Sequence, residues 1–115
     1  ATGAAGPIAV PGENSTLVIE EAAKVFVQNG TQVSGLAGRN TEYLRSQGIN
    51  ATEGNVDQTG ATQIIIYNAK PYTVVYLASL MNVVSTNIRN NFDPNVGVDI
   101  AIILGSDWVN NNPMP

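Results

Sequence analysis

Neither histidine nor cysteine occurs anywhere in the chain. Their absence removes Ser-His-Asp and Cys-His catalysis, the commonest general base, and the thiolate and imidazole ligands of most zinc sites. Without cysteine there are no disulfides either, so the redox compartment cannot be read from them. Charge is scarce: 12% of residues are charged, about half the usual share of a globular domain. The five basic residues (Lys24, Arg39, Arg45, Lys70, Arg89) are scattered, and the net charge is −4. Nothing therefore draws the chain as a whole to nucleic acid or to anionic lipid. No apolar run approaches the roughly 18 residues of a membrane span, and no signal-peptide pattern is visible. Starting at Ala1, the chain reads as a processed or excised piece of something longer.

Carboxylate or lysine chemistry is what these absences leave. The nine acids (Glu13, Glu20, Glu21, Glu42, Glu53, Asp57, Asp93, Asp99, Asp107) show no D-x-D, E-x-x-E or EF-hand spacing. A glycosidase-like pair would have to be assembled from distant segments. There is no Walker A motif and no G-x-G-x-x-G. The expectation is no catalytic residue, no metal site and no cofactor.

What is present suits one domain. At 115 residues with 43% hydrophobic content, the chain can bury a single core without disulfides or metal. Its polar surface has to come from Asn, Gln, Thr, Ser and Gly. Such neutral amides and hydroxyls are compatible with carbohydrate contacts and equally with mere solubility.

The chain is organised around Val25 to Gly48. Val25, Phe26 and Val27 suit a buried strand, and Asn29-Gly30 stops it, glycine being expected at positive φ there. A helix should follow, with Ser34 as N-cap and Gly48 as left-handed stop. Leu36, Ala37, Asn40 and Leu44 fall on one side of a 3.6-residue period with Tyr43 beside them. Glu42 and Arg45 lie off that stripe and are spaced to pair.

Ahead of this unit, residues 1–14 read as a linker, and residues 15–23 as a flanking strand or helical turn. Behind it, residues 49–57 read as a partly exposed strand and Gln58-Thr59-Gly60 as a turn. Thr62 to Tyr67 is a strand whose three consecutive isoleucines imply burial on both faces. Pro71 opens a second helix running to Asn82, with Val74, Leu77, Ala78 and Met81 as its buried face. Residues 84–90 suit a polar edge strand, residues 98–104 a central strand, and residues 110–115 a disordered tail. Asn29 and Asn68 hold equivalent places in two βαβ-like halves. The expected fold class is α/β, a small two-layer sandwich of about five strands with two main helices over residues 15–109.

The ligand-binding candidates are few. Asn29, Gly30 and Thr31 lead into the first helix, with Gly35 at its start, and free N–H groups at a helix start attract an anion or a sugar oxygen. Arg39 lies roughly one turn in. The alternative is that Asn29 and Thr31 satisfy the turn's own backbone. Tyr43, Tyr67, Tyr72, Tyr76 and Trp108 are stacking faces or core-boundary aromatics. Asp107 follows the last strand, where α/β sheets often place ligands, and is a ligand contact or a cap.

The stretch VFVQNGTQVSGLAGRNTEYLRSQGI resembles the opening signature of the LytR C-terminal domain: strand, Asn-Gly-Thr, Gly-Leu-Ala, then Leu before a helix-ending Gly. Thr62–Tyr67 resembles that family's second strand, Leu77-Ala78 its second helix, and Val98–Asp107 its closing strand with a G-x-D ending. The resemblance covers about residues 24–108.

It implies a bacterial cell-envelope protein outside the cytoplasmic membrane, part of a membrane-anchored parent. Such domains commonly follow the catalytic domain of LytR-CpsA-Psr proteins, which join lipid-linked glycopolymers to peptidoglycan. The Arg- and Asp-rich site of that catalytic domain has no match here, so its activity does not carry over. The family's older label is transcriptional attenuator, yet no basic DNA-reading element is present. The implied role is a non-catalytic module that contacts a cell-wall glycan such as peptidoglycan, or docks to another envelope protein domain. A structural or oligomerising domain, forming homo-oligomers without a ligand, is the alternative. No nucleic-acid partner and no membrane insertion by this segment are expected.

Overall fold

The computed structural model describes Val18 and residues 20–111, except the side chains of Asn110 and Asn111. The linker expected over residues 1–14 and the last four residues of the expected tail fall outside them. The elements in chain order are β1 (Lys24–Asn29), α1 (Leu36–Ser46), β2 (Asn50–Asn55), β3 (Gln63–Ile66), α2 (Pro71–Met81), a 3-10 turn (Ser85–Asn87), β4 (Ile88–Asn90), β5 (Ile100–Leu104) and α3 (Ser106–Asn111).

The sheet has the order β2-β1-β5-β3-β4. β1 runs parallel to both β2 and β5, β3 runs parallel to β4, and β3 meets β5 antiparallel. The two halves expected from the sequence are therefore β1-α1-β2 and β3-α2-β4, with their strands pointing in opposite directions and β5 joining them. β5 is buried because it has a paired neighbour on each side. Ile100, Ile102 and Leu104 are fully enclosed and Ala101 nearly so. Val25, Val27, Ile64 and Ile66 extend this layer, and Leu36, Ala37, Leu44, Leu77, Leu80 and Met81 cover it from the helices. Each fully buried aliphatic side chain here contributes about 1.5–3 kcal/mol relative to exposure.

The ends of α1 differ in how they are made. Its N-cap is Gly35, at φ 78° and without a side-chain cap. Ser34 is thus not the cap: the left-handed residue after it starts the helix, and an L side chain at that φ would be strained. At the other end Gly48 has φ 87°, as expected. Its N–H donates to the Arg45 carbonyl at 3.0 Å and the Ile49 N–H to Leu44 at 3.1 Å. With Ile49 and Leu44 both buried, this is a Schellman stop with its apolar contact. Arg45, expected to pair with Glu42, instead donates its Nε to the Ala51 carbonyl in β2 at 2.7 Å.

α2 begins at Pro71 as expected, but its buried face is turned. Thr73, Tyr76, Leu77, Leu80 and Met81 are inside, whereas Val74 and Ala78 are half-buried. The cause is Glu21. Its Oε1 accepts the Thr73 N–H at 2.8 Å and the Thr73 hydroxyl at 2.7 Å, and its Oε2 accepts the Tyr72 N–H at 2.9 Å. One carboxylate thus satisfies two orphan donors of the first turn at the positive end of the helix.

Candidate binding cleft

A cleft of about 560 Å³ opens at the C-terminal ends of β1 and β5. Three segments build it: residues 30–33 after β1, residues 58–60 before β3, and Ser106 and Val109 of α3. In α/β sheets this end of parallel strands is where ligands collect.

The segments are tied by backbone bonds. The Gly30 N–H donates to the Leu104 carbonyl at 2.9 Å, Thr59 N–H to Gly30 at 3.0 Å, and Ser106 N–H to Thr59 at 2.9 Å. Gly30 is not in the left-handed region, contrary to expectation; its role is close approach. A Cβ there would stand 2.7 Å from the Leu104 carbonyl oxygen. At Gly105 a Cβ would meet the Ala61 backbone at 2.5 Å.

Asn29 is buried beneath the cleft and holds the turn from within. Its Oδ1 accepts the Thr31 N–H at 3.0 Å and the Thr31 hydroxyl at 2.6 Å, and its Nδ2 donates to the Val33 carbonyl at 2.8 Å. The Thr31 Oγ1 in turn accepts the Val33 N–H at 3.1 Å. Asn29 therefore positions the wall, and Gly30 and Thr31 form part of it. Gly35 and Arg39 are exposed and do not line the cleft.

Asp107 and Trp108 hold the fold together around this cleft. Asp107 accepts the Thr62 hydroxyl at 2.6 Å, and the Thr62 N–H bridges its two oxygens at 3.1 and 3.2 Å. Thr62 Oγ1 accepts the Gly105 N–H at 3.1 Å, so the carboxylate clamps the start of β3 to the end of β5. Trp108 is 2% exposed and its Nε1 donates to Asn40 Oδ1 at 3.2 Å. Its ring is enclosed and offers no stacking face, because α3, a short helix unforeseen in the sequence, turns it inward.

Among the tyrosines, Tyr76 is buried, Tyr43 and Tyr67 half-buried, and Tyr72 exposed. The hydroxyls of Tyr43 and Tyr76 are enclosed without a hydrogen-bond partner. Burial pushes the Tyr76 hydroxyl up to about 12, with nearby Tyr43 adding to the shift, and burial raises Tyr43 as well.

Sequence reasoning missed Gln32, Gln58, Thr59, Ser106 and Val109. Gln32 Nε2 reaches Gln58 Oε1 at 3.4 Å across twenty-six positions of chain. The only local sign was the turn at Gln58-Thr59-Gly60. None of the lining residues is acidic, basic or phenolic. The cleft can offer amides, hydroxyls and backbone dipoles, and has no side chain of its own to move a proton at neutral pH.

Fold and cleft together define a small α/β module with a neutral cleft at the C-terminal ends of β1 and β5. A family model matches residues 22–108, and the chain belongs to that family, LytR_C, the LytR cell envelope-related transcriptional attenuator. It is thereby a cell-envelope-associated LytR-type module. No curated protein and no solved structure matches it. No helix among the described residues is long and apolar enough to cross a membrane.

Proposed function

We propose that this domain is a non-catalytic, extracytoplasmic module of a membrane-anchored LytR-type parent, and that its cleft holds an uncharged stretch of cell-wall glycan. The observation that carries this reading is the lining: Thr31, Gln32, Gln58, Thr59 and Ser106 beside glycine backbone, with no ionisable side chain among them. Sugar hydroxyls and N-acetyl groups need donors and acceptors that stay put at any physiological pH, which neutral amides and hydroxyls supply. Family membership supports the setting.

Retention on purified sacculi tests it. Binding above that of an unrelated acidic domain, lost in Gln58→Ala, is the expected result. Equal retention of the two proteins removes the glycan. Docking of a partner domain is the second reading, and Val109, 43% exposed at the cleft wall, is the feature that favours it. A homo-oligomer without a ligand instead predicts a concentration-dependent mass in sedimentation and no retention.

A further inference from the structure

The polar groups on the cleft walls are not equally committed. The Thr31 hydroxyl is taken up by Asn29 and by the Val33 N–H, and the Ser106 hydroxyl donates to the Gly60 carbonyl at 3.4 Å. Two amides are held more loosely. Gln32 Nε2 donates to Gln58 Oε1 at 3.4 Å, long for an N–H···O bond, and both side chains are exposed to competing water. Opening this bond costs little. It leaves a donor on one wall facing an acceptor on the other.

We propose that this pair and Val109 select the acetamido group of an N-acetylated sugar, an inference that rests on the glycan reading above and names the group that is read. A secondary amide carries its acceptor and its donor on opposite sides. Entering between the glutamines, it accepts from Gln32 Nε2 and donates to Gln58 Oε1, so the one bond lost is replaced by two. A sugar hydroxyl can make the same two bonds through its single oxygen, so the glutamines alone do not choose between them. The methyl group decides. Val109, 43% exposed, and Val33, half-buried, are the two aliphatic side chains in the lining. Covering a methyl against such a surface is worth about tenfold in discrimination.

Charge acts in the opposite direction. A deacetylated amino sugar is cationic, and the field of a chain with net charge −4 attracts it. The lining itself has no carboxylate to receive an ammonium group. Selection by the cleft and attraction by overall charge therefore give opposite orders of affinity for the acetylated and deacetylated ligands.

Titration of the full chain with three soluble β-1,4-linked tetramers, followed by nuclear magnetic resonance and calorimetry, tests this. The tetramers are those of N-acetylglucosamine, of its deacetylated form, and of glucose. The acetylated one is expected to shift the side-chain amide signals of Gln32 and Gln58 and the methyl signals of Val109. It should bind about tenfold more tightly than either of the others. In Val109→Ser its advantage over the glucose tetramer should shrink to about twofold, with the glucose tetramer bound as before. An advantage unchanged in that variant overturns the role of Val109. Equal binding of the acetylated and glucose tetramers at the cleft overturns the selection and leaves the glycan reading standing. Tighter binding of the deacetylated tetramer overturns it in favour of overall charge. Shifts confined to residues outside the cleft, or no binding of any tetramer, overturn it too. Retention on sacculi, lost in Gln58→Ala, then decides separately whether the glycan reading survives.

Discussion

The two βαβ halves place different surfaces at equivalent positions. After β1 the chain takes residues 30–35 to reach its helix, and residues 30–33 of that stretch wall a neutral polar cleft. After β3 it takes only residues 67–70, and the corresponding end of the strand opens on a carbon-lined groove. Because the halves point in opposite directions in one sheet, the polar and apolar surfaces lie toward opposite ends of the molecule. Their helix starts differ in the same way. α1 begins on a glycine with no side-chain cap, and α2 on a carboxylate lent by a residue some fifty positions earlier. A common architecture has thus been finished with unlike chemistry: one half is closed by its own turn residues, the other by the preceding chain.

Four substitutions separate the halves, in descending order of expected effect on stability. Trp108→Ala removes the ring that α3 lays against α1, so chemical denaturation should show a loss of about 3–5 kcal/mol. Glu21→Ala should cost about 1–2 kcal/mol, as loss of an N-cap does. Amide exchange should then rise at Tyr72 and Thr73 while α1 is unaffected. A uniform rise would mean that the halves do not differ in how they are capped.

Tyr76→Phe deletes a buried hydroxyl that has no partner, and should leave the protein as stable or up to about 1 kcal/mol more stable at neutral pH. It also changes the alkaline limb. A hydroxyl raised in the folded state contributes stability that is complete below the unfolded value near 10 and is lost as pH climbs through about 12. Thermal melts of the parent protein should fall between pH 10 and 12, and those of Tyr76→Phe should fall less steeply. Gln58→Ala touches only the cleft wall, so its stability should stay within about 0.5 kcal/mol of the parent. Loss of retention on sacculi without loss of fold would tie the polar half to the wall.

Periodicity and turn chemistry reveal most of the fold because those signals are local. The strands at Val25–Val27, Ile64–Ile66 and Ile100–Leu104, the Gly48 stop, the Pro71 start and the two-half plan all follow from short stretches. What stays hidden is made at a distance. Glu21 turns the buried face of α2 by drawing Thr73 inward, Leu104 explains Gly30, and Asn40 meets the indole of Trp108 over sixty-eight positions. The cleft was legible only in its first wall, Gly30 and Thr31. Its other walls come from a turn and a short helix that nothing in their own sequence places beside that loop.

β5 has a consequence for the order in which the molecule can be assembled. Among the described residues no strand of one half pairs with a strand of the other, so the two are joined in this sheet through residues 100–104, the last of its five strands to be synthesised. Until then a growing chain carries two ribbons whose inner margins, along β1 and β3, lack partners and are open to mispairing with neighbouring nascent chains. Closure waits for contacts between residues some seventy-five positions apart, such as Val25 with Ile100, a separation that makes for slow folding.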